Sequence, residues 1–194
     1  HMLPGQDPVS QITIVPRGMA GGMTISLPEE DRSYLSKSYM EDQIVALLGG
    51  RVAEKLCLGD ISTGASNDIQ RATALARNMV ALYGMSDELG LMATASVHSQ
   101  YLDGQAHMDC SQETARQVDI AVQKILNESY AAAVQLLTDN RARLDEISEY
   151  LLVKETITGD ELMAFLKPEE AAKPEEAEET TETTIEETTE EREN

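Results

Sequence analysis

The stretch Ser62-Thr-Gly-Ala-Ser-Asn-Asp68-Ile-Gln-Arg71-Ala-Thr73-Ala-Leu-Ala76-Arg-Asn-Met79-Val-Ala-Leu-Tyr83-Gly84 carries the pattern that decides the fold class. Ile69, Ala72, Thr73, Ala76, Met79, Val80 and Tyr83 recur every three or four residues, the period of a helix with one apolar face. The spacing predicts a helix over 66–83, opened by Ser66 or Asn67 and closed at Gly84. Asp68 stands at the head of a second set, with Ala72, Leu75 and Met79 at i+4, i+7 and i+11. An acid in the first turn is favoured by the helix dipole and needs no further role. A carboxylate directed toward a packed surface, however, needs a cation, a metal or several N–H donors. Spacing leaves both readings open.

Outward from this helix the helical period continues. Ser38-Tyr-Met-Glu41 reads as a capping box, opening a helix over about 38–56 with Met40, Ile44, Leu47, Leu48 and Val52 on one face. Gly49-Gly50 inside it implies either a close approach by another backbone or a break. The longest helix spans about 111–139 and starts at Ser111 or Asp109. A helix over 141–153, using Leu144, Ile147, Leu151 and Leu152, is expected to turn back along it as an antiparallel pair. That pair reads as part of the domain's own core, with a coiled-coil partner site as the alternative. Thr158-Gly-Asp-Glu161 is a second capping box, for a helix over 158–166. No element is assigned within 85–110.

Toward the amino terminus the period changes to two. Ile12 and Ile14, then Met23, Ile25 and Leu27, alternate with polar residues and predict strands within about 10–27. Pro16, Gly18, Gly21 and Gly22 between them suggest a hairpin return. The fold class is therefore mainly α with a small β-hairpin or sheet.

The chain has 194 residues and a net charge of −20. Residues 168–194 hold twelve Glu against Lys173 and Arg192, half of that charge, and are expected to be a disordered acidic tail. Residues 3–167 are expected to form one domain, and His1-Met2 reads as a cloning remnant. So acidic a surface repels phosphate backbones, which argues against nucleic-acid binding. No apolar run reaches the roughly 18–20 residues needed to cross a bilayer. Cys57 and Cys110 fit no metal or redox spacing.

Several blocks together resemble the peptidase domain of FtsH-type ATP-dependent zinc metalloproteases, peptidase family M41. They are Ile12-Thr-Ile-Val-Pro-Arg-Gly18, Leu27-Pro-Glu-Glu-Asp31, Leu47-Leu-Gly-Gly-Arg-Val-Ala-Glu54, Ser62-Thr-Gly-Ala-Ser-Asn-Asp-Ile69, Arg71-Ala-Thr73, Met79 and Tyr83-Gly-Met-Ser86. They fall in the family's order and cover about Leu3 to Leu166. The resemblance implies a helical peptidase domain. In that family one zinc is held by two histidines of a His-Glu-x-x-His helix and by an aspartate further along, and the glutamate activates the zinc-bound water. Asp68 inherits the role of third ligand. The strand around Met23-Thr24-Ile25 resembles the edge strand beside the catalytic cleft, to which an extended substrate adds through its main chain.

No His-Glu-x-x-His occurs in this sequence. The histidines are His1, His98 and His107, and the last two read as ordinary solvent-facing side chains. The resemblance starts where the zinc helix should have ended, so the domain is expected to be truncated at its amino terminus. No catalytic residue is expected in the chain itself, which is expected to bind no zinc and to be proteolytically inactive. For the parent, the resemblance implies a membrane-anchored homo-hexamer with its peptidase domain in the cytoplasm, the fragment alone being soluble. It also implies ATP and Mg on an absent ATPase domain, with unfolded, unassembled or membrane proteins as substrates. A non-catalytic assembly or scaffold module related to the family is the alternative.

Overall fold

Alanines recurring between larger apolar residues let the central helices approach closely. In the computed structural model, which describes residues 2–4, 6–18, 21–28, 34–97 and 106–166, helix α2 (Ser66–Ala81) buries Ala72, Ala76, Met79, Val80 and Ala81. It packs against α1 (Lys37–Ala53) and α3 (Gln112–Asp139). Met40, Ile44 and Leu48 from α1 meet Val118, Ala121 and Val122 from α3 in one cluster around the α2 face. Each of the larger side chains contributes about 1.5–3 kcal/mol by leaving water. A second cluster of Val45, Val52 and Ala133 extends the α1–α3 contact and covers Leu3.

The ends of these helices depart from expectation in instructive ways. Ser36, not Ser38, caps α1 by accepting from the Tyr39 N–H at 3.2 Å. Glu41 instead faces Lys37 across one turn, 3.9 Å away. Gly49 and Gly50 neither break α1 nor admit a close neighbour, since nothing lies within 4 Å of a Cβ at either position. The helix runs on into a π-helical turn, Glu54–Leu58, and stops at Gly59 in the left-handed region. Helix α2 begins on Ala65 without any side-chain cap, so neither Ser66 nor Asn67 serves as one. It ends at Ala81, where Gly84 at φ 61° lets the Met85 N–H reach back to the Met79 carbonyl at 2.9 Å. Ser111 caps α3 by accepting from the Thr114 N–H.

The sheet is small and packs apart from the α1–α2–α3 core. Strand β1 (Val9–Thr13) lies between β2 (Met23–Ser26) and β5 (Thr156–Thr158), both antiparallel to it. Gly22 enters β2 so close to the Thr13 carbonyl that a Cβ there would meet that oxygen at 2.8 Å. A separate two-stranded ladder, β3 (Ala95–Val97) with β4 (Ala106–Met108), occupies the region where no element was assigned.

Helix α4 (Arg141–Lys154) does not fold back along α3 as expected. Its Leu151 and Ile147 join Ile157, Leu162, Val9 and Ile12 in a third cluster, which packs α4 and α5 (Gly159–Leu166) onto β1. Leu152, expected on the paired face, is 74% exposed. The reason lies in Glu155, whose φ of 63° ends α4 and turns the chain into β5. Once β5 pairs with β1, the apolar face of α4 is drawn over the sheet. Residue 1 and residues 167–194, including the acidic tail, lie outside the described residues.

Candidate active-site groove

The loop before α2 sets where Asp68 stands. The Glu54 carboxylate accepts from the Ser62 N–H at 3.3 Å and from the Ser62 hydroxyl, while Ser62 Oγ accepts from the Gly64 N–H at 3.1 Å. Those bonds, first that of the Ser62 hydroxyl, hold the Glu54 carboxyl below its ordinary pKa. Arg51 Nη1 adds an ion pair at 3.3 Å from Glu54 Oε2, off the direction of a hydrogen bond. The start of α2 is therefore fixed from the end of α1, although α2 carries no cap of its own.

From there Asp68 opens into a groove of about 640 Å3. Asp68 and Arg71 of α2 form one wall, and Gln43, Ala46 and Leu47 of α1 form another. Gln6, Asp7 and Gly22, with Thr24 and Ser26 of β2, close the opposite side. The Asp68 side chain is 44% exposed, and its nearest charged partner is Arg71 Nη1 at 3.8 Å. The carboxylate is thus neither sealed in the core nor tied to a buried partner, while Ala72 and Met79 behind it are fully buried.

The two sides of the groove are joined through Tyr39. Its carbonyl accepts from Gln6 Nε2 at 2.9 Å, its hydroxyl donates to Asp7 Oδ2 at 3.3 Å, and that hydroxyl accepts from Gln43 Nε2 at 3.3 Å. These bonds moor the segment leading into β1 against α1.

Of the residues singled out in the sequence, Asp68 and Thr24 share this groove. Met23 and Ile25 alternate away from it along β2, as strand geometry requires. Gly22 and Ser26 take their place, and the same alternation could have identified them. Among the described residues no strand pairs with the outer edge of β2. Gln6, Asp7, Gln43 and Arg71 were not singled out as site residues, because only the tertiary fold brings them together. His98 lies outside the described residues, and so does the side chain of His107. No three His, Cys, Asp or Glu side chains among the described residues come together as a metal site. The Asp68 carboxylate could supply one oxygen donor to a metal, and the described residues do not complete a ligand set around it.

Comparison with known proteins shows the family. The model of peptidase family M41 matches residues 1–165. The chain is 47% identical over 168 residues to the ATP-dependent zinc metalloprotease FtsH of Lancefieldella parvula, covering 86% of this chain and 26% of that protein. It is 46% identical over 166 residues to the FtsH metalloprotease of Clostridium perfringens, covering 85% and 23%. A third relative, from a Thermoanaerobacter species, is 47% identical over 163 residues, covering 82% and 27%. The chain spans about a quarter of the length of these relatives. A family match over residues 1–165, with 46–47% identity to these relatives over most of the chain, places this polypeptide in peptidase family M41.

Proposed function

We propose that this chain is part of the peptidase domain of an ATP-dependent zinc endopeptidase, to which it contributes one zinc ligand, Asp68, and a substrate-binding edge, β2. The observation that carries the reading is the half-exposed carboxylate of Asp68 in the groove that β2 borders. A buried or capped aspartate would have no coordination to offer. By the family resemblance the other protein ligands would be the two histidines of a His-Glu-x-x-His helix, a motif this sequence does not contain, and no described histidine lines the groove. Bound there, zinc supplies Lewis-acid activation of water near neutral pH.

The chain's own residues do the rest. Asp68 offers a hard oxygen donor from a rigid helix start. Arg71, one turn on, is its ion-pair partner at 3.8 Å and lines the same groove. The main chain of β2 offers unpaired N–H and C=O groups to an extended polypeptide, which gives affinity with little side-chain selectivity. That suits unfolded or unassembled protein substrates, membrane proteins included. In this reading the parent is a membrane-anchored homo-hexamer, and its ATPase domain delivers extended chains to the groove. No described helix is long and apolar enough to cross a membrane.

The test uses the full-length protein. Casein degradation should require both ATP and zinc, and Asp68→Ala should abolish it. A wild-type protein inert under those conditions would favour the scaffold reading, and an active Asp68→Ala protein would reject the ligand assignment.

A further inference from the structure

Gly159, the first residue of α5, stands against the backbone of β1. A Cβ there would overlap the Val9 carbonyl oxygen and lie 3.3 Å from the Val9 carbonyl carbon and 3.5 Å from Ser10 Cα. All three are main-chain atoms, so no side chain can rotate to make room. The contact falls on the one irregularity of the β1–β2 ladder. Val9 pairs with Ser26 and Gln11 with Ile25, which leaves Ser10 as the extra residue of a bulge. Beyond it, Ile12 faces Thr24 and Thr13 faces Met23.

The bulge matters because strand faces alternate. With it in place, Gly22, Thr24 and Ser26 line the groove. A shift of one residue would turn Met23 and Ile25 there instead. The position of Gly159 is itself fixed. Ile157, fully buried in the third cluster, pairs with Ile12, and Thr158 pairs with Gln11. The Thr158 N–H donates to Glu161 Oε2 at 3.0 Å, the Glu161 N–H donates to Thr158 Oγ1 at 3.4 Å, and Lys154 ion-pairs with Glu161.

We infer that Gly159 is a positioning residue for substrate: it holds the Val9–Ser10 bulge, and so the register in which β2 is presented to the groove. The inference rests on the reading of β2 as the substrate edge. It gives the carboxy-terminal segment a part in recognition, although α5 does not line the groove.

Gly159→Ala separates this role from a general loss of fold. In the 194-residue chain, amide exchange should show protection falling about tenfold across residues 9–13 and 23–26, with 37–53, 66–81 and 112–139 unchanged. In the full-length protein KM for casein should rise about tenfold, as expected for one or two strand hydrogen bonds lost. The kcat should stay within about twofold, zinc per chain should be unchanged, and the casein cleavage positions should shift. Glu161→Ala, which loosens the α5 start without adding an atom beside Val9, should move exchange and KM the same way by a smaller factor. It decides the matter if Gly159→Ala does not fold. Unchanged strand protection in the substituted chain overturns the inference, and so does an unchanged KM with unchanged cleavage positions in an active enzyme. If wild type shows no zinc-dependent proteolysis, the proposed function falls instead, while the exchange experiment still decides whether Gly159 fixes the strand register.

Discussion

Nη1 of Arg71 stands 3.8 Å from Oδ1 of Asp68, one helical turn apart, with both side chains largely open to the groove. An exposed pair of this kind contributes at most about 1 kcal/mol, and a first-turn acid gains a similar amount from the dipole. Asp68 is therefore poorly explained as a stabilising residue. In the 194-residue chain Asp68→Ala should lower stability by no more than about 1 kcal/mol in a denaturant titration. A loss above roughly 3 kcal/mol, the scale of a broken buried network, would make Asp68 a structural residue.

The core behaves differently. Met79 and Ile44 are fully buried in the α1–α2–α3 cluster. Truncating either to Ala should cost about 2–5 kcal/mol, because the neighbouring helices cannot collapse into the space. Urea midpoints at constant m-value would measure it, and a cost under about 1 kcal/mol would show the cluster to be loosely packed.

Tyr39→Phe tests the mooring across the groove. It removes the bonds to Asp7 and Gln43 but keeps the Gln6 contact, which uses the Tyr39 carbonyl. The expected loss is about 0.5–1.5 kcal/mol per bond removed. Amide exchange should quicken first in residues 6–13. Unchanged exchange there would mean that the segment is held by its other contacts alone.

Two carboxylates give the fold an acid limit. The Lys124 ammonium, then the Ser86 hydroxyl, hold the Glu88 carboxyl down to about 2. Lys154, then the Thr158 N–H, do the same for Glu161, also to about 2. A depressed carboxyl stabilises the folded state above its unfolded pKa, here 4.5, and that contribution disappears as pH falls toward 2. Stability should therefore drop between about pH 4.5 and pH 2, and Glu88→Gln or Glu161→Gln should flatten the drop. Lys124 and Lys154 are raised above 10.5, chiefly by these same carboxylates, so their share is complete below pH 10.5 and lost only above it. Glu88, Lys124 and Lys154 are exposed and Glu161 is half-buried, so added salt should weaken the effect. A pH profile equally steep in the Gln variants would contradict the assignment.

The long stripes of residues 66–83 and 111–139 could be read because their period repeats over four turns or more. The three-residue strands β3, β4 and β5 could not. Strand β5 has three residues, follows directly on a helix, and exists only because Ile157 pairs with Ile12 far away in the chain. The same distant pairing explains why α4 covers the sheet instead of α3. In the stretch Ser36-Lys-Ser38 local pattern could not choose the cap, since both hydroxyls suit the role and lie 3.0 Å apart. Asp68, which the structure places in the groove, was singled out by the family resemblance of its block, because spacing alone suits an ordinary first-turn acid equally well. The rest of the groove comes from residues 6–7, 22–26 and 43–47, which no local pattern joins.

Zinc titration tests the central claim most directly, on the full-length protein. The account predicts one zinc per chain for wild type and, for Asp68→Ala, affinity weaker by more than about a hundredfold, beyond the loss expected from a mere supporting residue. Equal zinc affinity in the two proteins would contradict it.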